Sequence, residues 1–206
     1  MTDQPSASPP DRRWDGPSPV RAQLKRATAD IHRRLESRLD LLGPDLSPDR
    51  YRRILERFFG FYAPIEAGLA RVASAGPALG LPLRARTGLI ESDLLSLGLS
   101  RRELADLPRC ADLPRLSSPE EAAGCLYVLE GACLGGRVIA PALRERLGVA
   151  QGSGASFFTG DAEATHARWS VFLDWIEGMV RAGAPTGEIV ASARATFLAF
   201  ALWVER

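Results

Sequence analysis

The sequence predicts an all-α protein built as a single domain. Apolar residues recur at helical spacing through several long segments. Most of these segments open on a cap residue or an early proline. No stretch alternates apolar and polar residues as a half-buried strand would, so a helical bundle is the expected architecture. At 206 residues and 46% apolar content, the chain is long enough to bury one sizeable core.

Residues 1–17 are rich in Pro, Ser and Asp and are expected to form a disordered tail, leaving 18–206 as the domain. A first helix runs from Ser18 to about Asp40, with Ser18 as cap and Pro19 at the first position. Leu24, Thr28, Ile31, Leu35 and Leu39 share one of its faces. Ser47-Pro48-Asp49 starts a second helix, carried by Tyr51, Ile54, Leu55, Phe58, Phe59 and Tyr62. Pro64 should bend or interrupt it before Ile65–Ala73. A Gly/Pro-rich link, Gly76–Pro82, leads to a short helix around Thr87–Leu97. Ser118 and Glu121 have capping-box spacing and open a long helix, about Pro119–Leu147. A bend or break is expected near Pro141. Gly152–Gly160 reads as a loop. Two final helices follow, about Asp161–Arg181 and Thr186–Val204.

The formal net charge is +1, with acids and bases interspersed along the chain. That pattern lacks the clustered basic stripe that nucleic acid requires. No uninterrupted apolar run reaches the 18 or so residues of a membrane span, and the N-terminus lacks the layout of a secretion signal. A cytoplasmic protein without nucleic-acid or membrane partners is expected. Cys110, Cys125 and Cys133 have no metal-site spacing, and an odd number argues against a disulfide framework. They read as small reduced residues of a core.

The most informative segment is Leu126-Tyr127-Val128-Leu129-Glu130-Gly131-Ala132-Cys133-Leu134-Gly135-Gly136-Arg137-Val138-Ile139. Its flanks are strongly helical, yet it holds three glycines. Each costs a helix interior about 1 kcal/mol against Ala, so the trio costs roughly 3 kcal/mol. Stability of a whole domain is only about 5–15 kcal/mol. Gly131 and Gly135 share a face, with Gly136 beside it. Bare backbone there serves either a ligand lying on the helix or close packing of another helix.

His32 lies beside the apolar face of the first helix, where a neutral imidazole can ligate iron or serve as a core-edge residue. The second histidine, His166, falls in a polar stretch and reads as a surface residue. Two histidines without a nearby acidic cluster make a metal site built from protein ligands alone a poor fit. A cofactor that brings its own nitrogens needs only one.

Together these segments resemble haem oxygenases, especially the bacterial, biliverdin-producing type associated with phytochromes. Leu24-Lys25-Arg26-Ala27-Thr28-Ala29-Asp30-Ile31-His32 looks like the family's proximal helix, which carries the iron-ligating histidine. Tyr127–Gly131 followed by Leu134–Ile139 looks like its distal helix. Phe157-Phe158, Trp169 with Phe172, and Ala195-Thr196-Phe197 resemble the segments beyond it. The resemblance implies a helical bundle with haem held between the first helix and a glycine-kinked long helix. Haem would be both cofactor and substrate, cleaved with O₂ and electrons to biliverdin, CO and ferrous iron. It implies His32 as axial ligand and Gly131, Gly135 and Gly136 as the bare wall beside bound oxygen. It also implies Lys25 and Arg137 as cations for the propionates, and Phe197 and Phe158 against the macrocycle. The implied partners are a ferredoxin- or reductase-type electron donor and a phytochrome that accepts the pigment.

The sequence departs from the family at two places. Many members carry Asp immediately after the first distal glycine; here it is Ala132. Basic propionate anchors of several members fall at Ser170 and Asp174, one neutral and one acidic. Arg137 and Arg168 are candidates to take over. Three other readings stay open: a thiaminase-like hydrolase using a cysteine nucleophile, a haem carrier or sensor without turnover, and a helical interaction module.

Overall fold

The structure, a computed structural model, describes residues 19–75, 83–160 and 165–206. Eight helices make up the described residues: α1 (Pro19–Leu39), α2 (Pro48–Ala75), α3 (Thr87–Ser96), α4 (Arg101–Asp106), α5 (Pro119–Leu147), α6 (Ser156–Thr159), α7 (Thr165–Arg181) and α8 (Thr186–Val204). No strand occurs among the described residues. The all-α expectation holds. The tail, Ser18 as cap and the Gly76–Pro82 link lie outside the described residues.

α8 is the central element and packs most extensively on α5 and α1. Its approach to α5 depends on Gly124, where any Cβ would collide with the Ile189 carbonyl and lie 2.7 Å from the Ala193 nitrogen. The Ser192 hydroxyl donates to the Glu121 carbonyl at 2.6 Å in the same seam. α1 and α8 run parallel and in step. Asp30 pairs with Arg194 at 3.2 Å, His32 meets Phe197, and Arg38 faces Glu205 at 3.5 Å. α5 and α8 are also long and apolar enough to pass a length-and-composition test for a membrane span. Here each turns part of that apolar surface onto the other.

Pro64 and Pro141 interrupt nothing; α2 and α5 are assigned as helix from end to end. A proline removes the bond to the carbonyl four residues earlier. For Pro64 that carbonyl belongs to Gly60, and the Cys110 amide donates to it at 2.9 Å. The orphan acceptor is thereby satisfied by a loop rather than left bare. Gly60 admits that loop, since a Cβ would lie 2.5 Å from the Pro108 carbonyl oxygen.

Two short helices fall where loops were expected. α4 opens on a full capping box, Ser100 with Glu103. α6 interrupts the 152–160 loop. Asp93, fully buried on α3, accepts from the Ser156 and Phe157 amides at 2.7 and 2.8 Å and so caps it. The Tyr51 hydroxyl donates to Gly154, and Arg86 donates to the Phe157 carbonyl. α6 is thus fixed against α2 and α3 before it meets α5. At the start of α5 the predicted capping box forms only half. Ser118 accepts from the Glu121 amide, while the Glu121 carboxylate takes the Ser117 amide instead.

Candidate haem site

α1 and α5 each pack on α7 and α8 but share no extensive contact with one another. Where they do approach, the Tyr127 hydroxyl reaches Thr28, while burial pushes that phenol above its ordinary value. The faces of the two helices beyond this point carry the residues singled out in the sequence.

On α1, His32 is half exposed. Its ring stands edge-on to Phe197 of α8, with centroids 5.6 Å apart. Its Nδ1 lies 3.2 Å from Oε2 of Glu36, one turn further along. A carboxylate beside Nδ1 leaves Nε2 as the nitrogen open to a ligand. Glu36 was missed in the sequence, although its i+4 spacing from His32 was there to be read. Lys25, two turns before His32 on nearly the same face, is exposed and has no ion-pair partner among the described residues.

On α5 the three glycines divide. A Cβ at Gly131 would sit 3.6 Å from the Trp169 ring, an ordinary contact. One at Gly135 would meet only Ile139 of its own helix, at 3.5 Å. Packing among the described residues therefore requires neither glycine. Gly136 differs: it is buried, and a Cβ would collide with the Phe158 carbonyl oxygen. Packing of α6 alone accounts for Gly136, which sets it apart from Gly131 and Gly135.

Two further candidates lie away from His32. Phe158 lies in the aromatic core, 6.3 Å from Tyr51 and 6.1 Å from Phe58, not beside His32. Arg137 lines a groove of about 480 Å³ on the Gly136 side of α5, together with Arg144 and Thr159. It is turned away from Gly131 and Gly135, because 3.6 residues per turn separate it from them by a third of a turn or more. Phe197, by contrast, lies against His32. The side chain of His166 lies outside what is described.

At the α7 edge, Asp174 stands where several family members carry a basic residue. The Arg21 guanidinium of α1 pairs with it at 2.6 Å and also with Glu177. Arg168 forks onto the Glu130 carboxylate at 2.8 and 3.0 Å. That pair is largely buried, and the Glu130 contact holds the guanidinium above its ordinary value. Arg168 is therefore committed to a structural pair and corrects the idea that it stands ready for a propionate. The cysteines are all free thiols. Burial pushes Cys125 up to about 12 and Cys133 up to about 11. Thiols so far from ionisation make poor nucleophiles, which removes the basis of a cysteine hydrolase.

The described residues form an all-helical bundle in which α1, carrying His32, and α5, carrying Gly131 and Gly135, both pack on α8. The family described as Heme oxygenase matches residues 18–206. A heme oxygenase of Xanthomonas campestris pv. campestris (strain 8004) is 32% identical over 157 residues, covering 75% of this chain and 88% of that protein. The chain belongs to the haem oxygenase family. Solved structures of similar fold include the NO- and CO-bound heme oxygenase of Neisseria meningitidis, with TM-score 0.72 and 19% identity over 90% of each chain. Heme oxygenase-1 of the cyanobacterium Synechocystis, in complex with heme, gives 0.71 and 16%, again over 90% of each chain. The heme oxygenase of Leptospira interrogans gives 0.72 and 19%, covering 90% of this chain and 98% of that one.

Proposed function

We propose that haem lies between α1 and α5 with Nε2 of His32 on its iron, and that the chain cleaves it to biliverdin, CO and ferrous iron. The family's activity is oxidative haem degradation, so haem is the substrate. The observation that carries the site assignment is the presence of two features on helices that both pack on α8. One is an exposed imidazole oriented by Glu36. The other is a pair of glycines, Gly131 and Gly135, whose Cβ positions packing leaves free.

Bound haem supplies the iron that engages O₂ and the meso carbon at which the ring opens. The chain supplies placement. Glu36 beside Nδ1 orients the ring so that Nε2 is presented to the iron. Phe197 supports that ring from the side. Gly131 and Gly135 keep bulk away from the distal face, so the backbone itself forms the wall. Trp169 and Tyr127, with rings 5.4 Å apart, close the slot near Gly131. Lys25 is the cation offered to a propionate. Arg21 neutralises Asp174 and Glu177, so their carboxylates do not oppose the haem acids. With Ala132 in place of an acid, ordered water held by backbone is left to deliver protons.

O₂ and an external electron donor of ferredoxin or reductase type complete the reaction. A phytochrome is the proposed acceptor of the pigment. We place the protein in the cytoplasm, where its free cysteines stay reduced.

The test is an absorption time course. Haemin is added to the purified chain, followed by ascorbate in air. A Soret band that forms and gives way to broad red bile-pigment absorption supports the reading. A Soret band that persists makes the chain a haem carrier. The absence of any band removes the haem site altogether.

A further inference from the structure

α6 backs the glycine-bearing stretch of α5, yet at four residues, Ser156–Thr159, it is too short to form without outside support. Its place is imposed from α2 and α3 by three contacts. The Tyr51 hydroxyl donates to the Gly154 carbonyl at 2.8 Å. The Arg86 guanidinium donates to the Phe157 carbonyl at 3.2 Å. Asp93 accepts from the Ser156 and Phe157 amides at 2.7 and 2.8 Å.

Asp93 differs from the other two anchors. It is fully buried, and a carboxylate out of water is costly unless hydrogen bonds or a cation compensate it. Its partners are the two amides and the Ser156 hydroxyl, all on α6. Burial raises its carboxyl above the usual range, against the pull of those bonds. A leucine would fill the same space without that cost. What a leucine lacks is direction: two short bonds fix both the place and the heading of α6. Buried polar groups can give up stability for one defined geometry.

The other side of α6 rests on α5. The Phe158 carbonyl oxygen lies where a Gly136 Cβ would be, so the α6 backbone sits on the bare Cα of Gly136. Gly135, the next residue back, is one of the two positions whose Cβ packing leaves free. Neighbours in a helix are about 1.5 Å apart along its axis, so a push on Gly136 displaces Gly135 too. Close-packed interiors transmit such shifts. A continuous line of contact therefore runs from Asp93 through α6 and Gly136 to Gly135.

We infer that Asp93 is a positioning residue for haem cleavage: through α6 it sets the Gly135–Gly136 stretch of α5, and with it which meso carbon is cleaved. The inference rests on the function proposed above.

The experiment compares the wild type with Asp93→Asn, Tyr51→Phe and Leu104→Ala. Asparagine leaves one acceptor for two amides. Tyr51→Phe removes a different anchor of the same loop with almost no change of shape, and it serves if Asp93→Asn fails to fold. Leu104 is buried on α4, which has no extensive contact with α5 or α6, so its truncation destabilises the chain without touching the line. Amide hydrogen exchange is followed on the haem-free chain. The haem-loaded chain, turned over with ascorbate in air, gives the ratio of biliverdin isomers. Its ferrous carbon monoxide complex gives the C–O stretching frequency. Exchange across residues 131–139 should quicken about tenfold in Asp93→Asn, less in Tyr51→Phe, and not in Leu104→Ala. The isomer ratio and the C–O stretch should move in the same order, with the Soret band retained. An Asp93→Asn chain that melts lower but keeps wild-type exchange, isomer ratio and C–O stretch makes Asp93 a structural cap only and overturns the inference. Equal changes in Leu104→Ala overturn it too. A wild type that forms no Soret band sinks the haem reading instead, a failure distinct from either.

Discussion

Nδ1 of His32 and Oε2 of Glu36 lie 3.2 Å apart on successive turns of α1. In the proposed site the pair divides the imidazole's work, Nδ1 for the protein and Nε2 for the iron. Outer-shell partners of this kind commonly change metal affinity by about 10–100-fold. Glu36→Ala should keep nitrogen ligation but lower the ferrous iron–histidine stretching frequency and hasten haem loss. Glu36→Gln should recover much of both. His32→Ala should abolish the nitrogen-ligated spectrum without unfolding the bundle. Resonance Raman and haem-transfer rates read all three; an unchanged stretch in Glu36→Ala would remove the orienting role.

The glycines of α5 should separate by experiment. Gly131→Ala and Gly135→Ala each gain about 1 kcal/mol of helix propensity in a space that is free. The haem-free chain should therefore melt higher with either. Gly136→Ala should melt lower, by about 1–3 kcal/mol, because the new methyl meets the Phe158 backbone. Gly135→Leu should fold well and fail at turnover. Equal melting shifts at Gly135 and Gly136 would contradict the division.

Arg168 and Glu130 form a bidentate pair with side chains 19% and 10% exposed. Removing the cation strands a mostly buried carboxylate, at a cost of about 3 kcal/mol. Arg168→Met should lose about that much in denaturant unfolding. Adding Glu130→Gln should restore a large part, since no lone charge then remains. A double variant as unstable as the single would show that Arg168 acts through other contacts.

The buried thiols set an alkaline limit. From their ordinary value of 9.0, Cys125 is raised to about 12 and Cys133 to about 11, with burial as the main cause. Between pH 9 and these values the unfolded chain holds fewer protons on sulfur than the native one. Raising the pH therefore favours unfolding. The melting temperature should fall steadily above pH 9, and less steeply in Cys133→Ala. In native protein both thiols should resist a thiol-reactive dye at pH 8 and react once the chain is unfolded.

The fold was legible because its signals are local. Ser47-Pro48-Asp49 and Ser118-Pro119 mark real helix starts, and α5 and α8 fall on their predicted spans. The two prolines misled for a tertiary reason. Whether Pro64 breaks a helix depends on who takes the Gly60 carbonyl, and that partner is Cys110. On the site, spacing left His32 and the glycines of α5 open between ligand contact and packing, and the resemblance added Phe197. Direction rather than position separates Gly136 and Arg137, which face α6 and its groove, from Gly131 and Gly135.

The bond between Cys110 and Gly60 has one more implication. Helices normally present no vacant backbone acceptors along their sides, so a passing loop has nothing to recognise but side chains. By withholding one amide, Pro64 turns the flank of α2 into an address, and the stretch leading from α4 to α5 is delivered to it. Replacing that proline by alanine would perfect the helix and, in doing so, evict the loop from its mooring.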